Sequence, residues 1–400
     1  MTQNPKPQLS QGEFIALIAM LFATIAFSID AMLPALPRIA AELSPDFPNK
    51  AQLIITSFVL GMGIGTFVAG PISDSFGRKP VILAGAALYM LAAIAAWFAP
   101  TLETVLAARL VQGLGAAGPR IVSMAMVRDL YKGREMARVV SFAMMIFTLV
   151  PAVAPLIGTA IIAGAGWRGI FLAFVVFSAV AMLWLMLRQP ETLAPAARRP
   201  LHAANLWAAL IEVLGHRVVV TAIMVQTLVF ACLFGTLSAT QQIFDQSFGR
   251  AESFPFWFAL IALMAGSASL VNAWLVVRLG MRFMITITLA AQIIASSVFA
   301  AVTLAGFLPE GQAFAAYVLW MTGVFFMAGM TLGNLNALSL EPMGHIAGLA
   351  ASVTGAIATV LAVALAVPLG LAFDGTPVPL ALGIAGLTAA AFGLMKTIPH

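Results

Sequence analysis

Charge is scarce in this sequence. Asp, Glu, Lys and Arg make up 9% of its 400 residues, against about 25% in soluble domains, which excludes an ordinary water-soluble globule. Cysteine is nearly absent. The single Cys232 sits inside an apolar run, so the chain has no intramolecular disulfide and no cysteine metal site. The four histidines, His202, His216, His345 and His400, lack metal-ligand spacing. No phosphate-binding loop and no nucleophile–base pair stands out, so the sequence does not read as an enzyme. Alternating strands of about ten residues are also missing, which argues against a membrane β-barrel.

Apolar length is what the chain has in abundance. Hydrophobic residues reach 62% and the mean hydropathy is +1.03. The runs are continuous and about 20 residues long, enough for a helix rising ~1.5 Å per residue to cross a ~30 Å hydrocarbon core. The sequence therefore predicts an all-α, multi-pass membrane protein with twelve spans: 14–37, 51–72, 81–99, 104–127, 137–163, 169–187, 218–241, 255–277, 284–305, 313–335, 348–372 and 378–396. The first run is too long for a cleaved signal peptide and reads as an uncleaved helix. A pI near 9.8 does not point to nucleic acid, because the basic residues form no patch and collect in short loops. With a cytoplasmic N-terminus, fourteen Lys and Arg, from Lys6 and Arg78 through Arg199 to Lys396, fall on the inner side. Four (Arg38, Lys50, Arg168 and Arg250) fall outside. Both termini are expected in the cytoplasm.

Six spans, a polar proline-rich stretch and six more spans define the expected domains. These are a six-helix bundle at 1–187, a cytoplasmic linker at 188–217 and a second bundle at 218–400. A weak echo fits a duplicated chain. Gly77-Arg78-Lys79 after span two is matched by Gly280-Met281-Arg282 after span eight.

Asp30 interrupts the first apolar run, shortly before Pro34 and Pro37. An ionised carboxylate inside a span costs about 2.5–3.5 kcal/mol on insertion scales, so Asp30 needs a partner, a use for its proton, or a snorkelling route to an interface. The fourth span carries Arg109, Gln112 and Arg120. Eleven residues are close to three helical turns, which puts both arginines on one face. Arg109 is expected at the depth of Asp30. Two readings stay open: the pair faces a water-filled cavity and alternates the affinity of Asp30 for a proton, or it is a static buried ion pair. Arg120 serves either a substrate or a backbone carbonyl. Pro151 and Pro155 remove helix donors in span five, either to permit rocking or as a packing kink. The substrate site is expected between the halves near mid-membrane. Its candidate lining groups are Gln112, Arg120, Met144, Gln226, Asn272 and Asn334.

Residues 70–79 read GPISDSFGRK. This resembles the G-x-x-x-D-x-x-G-R-K signature of major facilitator superfamily transporters. The resemblance implies a conformational latch built from Gly70, Asp74, Gly77, Arg78, Lys79 and Asp129, with Arg78 paired to Asp129 and Asp74 near Gly348–Ser352. Ala154-Pro155 to Gly158 resembles, in part, the antiporter signature of drug-efflux members, and assigns the bend to Pro151, Pro155 and Gly158. The strings at 30–43, 108–131, 337–352 and Pro190-Glu191-Thr192 narrow the resemblance to the Bcr/CflA group of drug–proton antiporters. That group implies twelve transmembrane helices in two six-helix halves related by pseudo-two-fold symmetry. It also implies a place in the bacterial inner membrane and efflux of chloramphenicol-like or bicyclomycin-like compounds. Asp30 and Arg109 take the proton-coupling positions. Phe22 stands where some multidrug relatives carry a second acid. The expected partners are a small-molecule substrate, protons and the lipid bilayer, with no nucleic acid. A proton gradient stands in place of any cofactor, there is no metal, and the unit is expected to be a monomer. The rival readings are export of an endogenous metabolite such as an amino acid, and a receptor on the same fold.

Overall fold

The structure is a computed structural model that describes residues 9–198 and 200–398. Lys6, Arg199 and His400, used in the sequence reading, lie outside the described residues. Among the described residues fourteen α-helices follow one another: α1 (Gln11–Asp30), α2 (Leu36–Leu43), α3 (Leu53–Phe76), α4 (Arg78–Phe98), α5 (Leu102–Leu130), α6 (Gly133–Ala165), α7 (Gly169–Arg188), α8 (Ala203–Gly215), α9 (Arg217–Gln242), α10 (Phe254–Leu279), α11 (Met281–Leu304), α12 (Glu310–Leu340), α13 (Ala347–Leu371) and α14 (Val378–Lys396). All but α2 and α8 have 19 to 33 residues, long and apolar enough to cross a bilayer. The protein is thus an all-α, multi-pass membrane protein, with twelve α-helices of spanning length among the described residues.

The chain forms two compact units. One comprises the chain up to Met32 and Ser57–Ala208; the other comprises Leu33–Thr56 and the chain from Ala209 onward. Residues 33–56, which the sequence assigns to the first bundle, cluster with the second unit. Within the first unit α1 packs on α5, α6 and α7, and α4 packs on α5 and α7. Within the second, α9 packs on α12, α13 and α14, and α11 packs on α12 and α14. The same pairing scheme therefore occurs twice, six places apart when the short α2 and α8 are left out of the count. Gly77 (φ 106°, ψ 158°) and Gly280 (φ 81°, ψ 153°) each precede the third long helix of their unit in the same backbone conformation. Only glycine adopts it readily, so the echo in sequence is an echo in geometry.

Two expectations change. The first span is not one helix: α1 stops at Asp30, and the chain continues through a 3-10 turn at Leu33–Ala35 into α2. Pro34 has no N–H to give the Asp30 carbonyl, which ends the α-helical ladder there. The 188–217 segment is not wholly a polar linker either, because α8 occupies its second part. The prolines and arginines at 188–200 hide an apolar stretch of 13 residues, too short to span. Val213 is buried, whereas Trp207, Ile211 and Leu214 are exposed at spacings of 4 and 3, one helical stripe.

Close backbone approach organises the first unit. A Cβ on Gly61 would sit 1.9 Å from the Leu110 carbonyl oxygen, and one on Gly113 would sit 2.0 Å from that of Phe58. α3 and α5 thus touch through main chain. On the other side of α5, a Cβ on Gly115 would meet the Gly85 oxygen of α4 at 2.6 Å. Small residues permit such contacts where hydrocarbon supplies no driving force for helix association. Gly61→Ala and Gly113→Ala are each expected to lower stability by about 1–3 kcal/mol through overpacking. Gly164→Ala, with nothing within 4 Å of the added carbon, should leave thermal unfolding in detergent unchanged.

Candidate functional site

The end of α1 is the meeting point of three stretches, two of which, around Asp30 and Arg109, the sequence places at one depth. α1 ends at Asp30, and the Met32 amide turns to the Ile29 carbonyl. This leaves the Ser28 carbonyl without its intrahelical donor. Arg109 of α5 fills that vacancy: its Nη2 donates to Ser28 O at 2.9 Å and its Nη1 to Gln112 Oε1 at 2.7 Å. A cation at a helix C-terminus also complements the macrodipole. The guanidinium lies 4.3 Å from the Phe58 ring centroid and is 0% exposed. Arg109 is therefore enclosed, with the Phe58 ring of α3 over its guanidinium. Ser28 Oγ donates to the Thr24 carbonyl, which leaves Tyr89 of α4 as the donor to that hydroxyl.

Gly158 of α6 completes the site. A Cβ there would stand 2.2 Å from the Ala31 carbonyl oxygen, so only glycine lets α6 lie against the broken end of α1. Pro151 and Pro155 stand within α6, which runs unbroken through both. Asp30 is 4% exposed, and among the described residues its carboxylate has no hydrogen-bond or ion-pair partner. Asp30, Arg109, Gln112 and Gly158 thus converge. Ser28 and Tyr89 were missed by sequence reading, although Ser28 stands two residues before the singled-out Asp30.

A second cluster lies at the α3–α4 turn. Arg78 Nε donates to Asp129 Oδ2 at 3.1 Å, Nη1 donates to Ser73 Oγ at 2.7 Å, and the same nitrogen bonds Asp74. Gly70, one turn earlier in α3, accepts from the Ser73 hydroxyl. Lys79 Nζ reaches the Met186 carbonyl. The residue that sequence reading left without a role is Glu191. Its carboxylate accepts from the amides of Arg78 (3.0 Å) and Lys79 (3.1 Å), capping α4 where Gly77 has no side chain to do so. Thr192 Oγ1 donates to Asp129 Oδ2 at 2.9 Å. The Pro-Glu-Thr string was the available signal.

The remaining candidates do not join these clusters. Arg120 Nη1 points to Met62 Sδ at 3.6 Å. Met144 is exposed. In the second unit, Asn272 and Asn334 exchange amide hydrogen bonds, with Asn334 Nδ2 2.7 Å from Asn272 Oδ1, so they join α10 to α12. Gln226 is buried on α9 with its Oε1 unpartnered.

Comparison with known proteins gives a consistent result. The sequence profile described as "Major Facilitator Superfamily" matches residues 16–368. The "Bicyclomycin resistance protein homolog" of Haemophilus influenzae is 30% identical over 363 residues, covering 88% of this chain and 87% of that protein. "Multidrug resistance protein MdtL" of Escherichia coli is 31% identical over 332 residues, covering 82% and 80%. Among solved structures, the D-xylose-proton symporter aligns over 96% of this chain and 98% of its own with a TM-score of 0.75. At 15% identity, that likeness concerns the fold alone.

Two substitutions test the clusters. Arg109→Lys keeps the charge but offers a compact ammonium to two separated acceptors. Thermal unfolding should show a loss of about 1.5–3 kcal/mol, the range for a hydrogen bond to a charged group. Glu191→Ala removes a cap of about 0.5–2 kcal/mol, and hydrogen exchange should quicken at the Arg78 and Lys79 amides while the Thr101-capped start of α5 is unaffected.

Proposed function

The chain belongs to the major facilitator superfamily, and from that premise we propose that it exports small drug-like molecules in exchange for protons by alternating access. It is a transporter of small molecules embedded in a membrane, not an enzyme. The observation that carries the finer reading is the buried carboxylate of Asp30 at the broken end of α1, unpartnered among the described residues. Asp30 is the proposed proton carrier. Its charge falls at the negative end of the α1 macrodipole, where an anion is disfavoured by about 0.3–1 kcal/mol, and Arg109 on the Ser28 carbonyl offsets that. Adding or removing a proton changes the net charge of a helix end that lies against the backbone of α6 at Gly158. Proton occupancy is thereby linked to the α1–α6 contact.

The names of the relatives support drug cargo, and we propose bicyclomycin-like or chloramphenicol-like neutral compounds. Phe22 in place of a second acid fits a neutral cargo. The proposed setting is the bacterial inner membrane, with both termini cytoplasmic, a monomeric unit and the proton gradient as the sole energy source. One proton entering down ~100 mV supplies about 2.3 kcal/mol, enough for roughly a 50-fold gradient of a neutral substrate. Gln112, Arg120, Met144, Gln226, Asn272 and Asn334 are the proposed lining groups, and the Arg78 cluster the proposed latch.

Purified protein in proteoliposomes under an imposed pH gradient tests the reading. Wild type should drive chloramphenicol flux, and Asp30→Asn should keep only passive exchange. Equal gradient-driven flux in both removes Asp30 as the carrier. Gradient-driven flux of an amino acid with none of the drug favours the metabolite exporter.

A further inference from the structure

The second unit carries a groove between α10 and α12 that takes no part in the reading above. Its volume is about 420 Å³, within the ~300–1,000 Å³ range of small-molecule sites. Gly311, Ala315 and Thr322 line it from α12, and Trp257 and Met264 line it from α10. Its walls are apolar. The hydroxyl of Thr322 already donates to the Val318 carbonyl at 2.8 Å, so the groove presents no unmet polar group along its length. Leu319 and Met264 on its rim are 69% and 44% exposed, so the groove opens sideways from the helix pair.

Arg250 stands at the end of the groove where α10 and α12 both begin. Its guanidinium lies 4.4 Å from the centroid of the Phe314 ring. Trp257 packs edge-on against the same ring at 5.1 Å. Among the described residues Arg250 makes no ion pair, although Glu252 is two residues away. The charge is held by an aromatic face and left open to an external anion.

Length decides what the groove fits. From Gly311 to Thr322 is eleven residues, or about 16 Å along the helix. One leaflet is half of a ~30 Å hydrocarbon core, about 15 Å. The groove is therefore about as long as one leaflet is thick, with a cation at the end where two helices of spanning length begin. Aromatic residues and arginine at that level are the usual anchors of an interface. We propose that this groove binds one acyl chain of an anionic phospholipid, with Arg250 holding its phosphate. The site belongs to the leaflet at the α9–α10 end of the second unit.

Native mass spectrometry of the full-length protein, with phosphatidylglycerol or phosphatidylcholine of identical chains, tests this. One basic residue near an anionic surface is worth about 1 kcal/mol, which corresponds to roughly fivefold. Wild type should retain phosphatidylglycerol about fivefold better than phosphatidylcholine. Arg250→Gln should erase that preference, and Arg250→Lys should keep most of it. Ala315→Phe, which fills the groove, should lower retention of both lipids. Arg250 and Ala315 are exposed, so unchanged melting temperatures are expected for all three variants. A preference that survives Arg250→Gln overturns the phosphate contact. Retention unaffected by Ala315→Phe overturns the groove as the site of the chain.

Discussion

Hydrocarbon offers the backbone nothing to bond, so a helix that stops within a membrane span must have its free carbonyls met by protein. α1 stops at Asp30, inside the apolar stretch Gln11–Leu43. The Arg109 contact with the Ser28 carbonyl answers that constraint, and much of the first unit follows from it. A guanidinium can lie in a dry interior only if its donors are occupied and its face is covered. Gln112 takes one donor, and Phe58 covers the face. Phe58 reaches Arg109 because α3 and α5 meet backbone to backbone at Gly61 and Gly113. The interruption of α1, the arginine of α5 and the glycines of α3 are one arrangement.

The same economy governs the opposite end of α4. Its first amides point out of the helix with no intrahelical acceptor, and Gly77 supplies a tight turn but no cap. Glu191, more than a hundred residues later, takes that part, while Thr192 and Arg78 share Asp129. Three segments distant in sequence, the ends of α3, α5 and α7, are thereby held on one short polar cluster. Its bonds are directional and partly charged, unlike the glycine contacts, which are steric.

Much of this was legible in the residues. Twelve spans can be counted because twenty apolar residues have few soluble alternatives. Asp30, Arg109 and Arg78 stand out because charge inside or beside a span is costly. What local pattern leaves out has equally physical causes. Hydropathy runs straight through Pro34 because it does not register a missing N–H. α8 is hidden in the composition because the neighbouring prolines and arginines dominate it. A lone arginine in a span is compatible with a cavity or a buried partner, and hydropathy names neither the Ser28 carbonyl nor the Phe58 ring that meet Arg109 here. The pairing of Asn272 with Asn334 across α10 and α12 has no local signal, because the two stand 62 residues apart.

The sequence by itself determined the membrane class, the number of spans, the duplicated plan and which side chains are too costly to be incidental, since these follow from local hydropathy and charge. Only the tertiary structure decided what those side chains bond. Whether Arg109 meets the Asp30 carboxylate or the Ser28 carbonyl depends on where a broken helix end lies against α5. That Gly158 admits the Ala31 carbonyl, and Glu191 the start of α4, depends on approaches of a few ångströms between segments far apart in the chain. Hydropathy has no term for such distances, because they arise from the absence of side chains as much as from their presence.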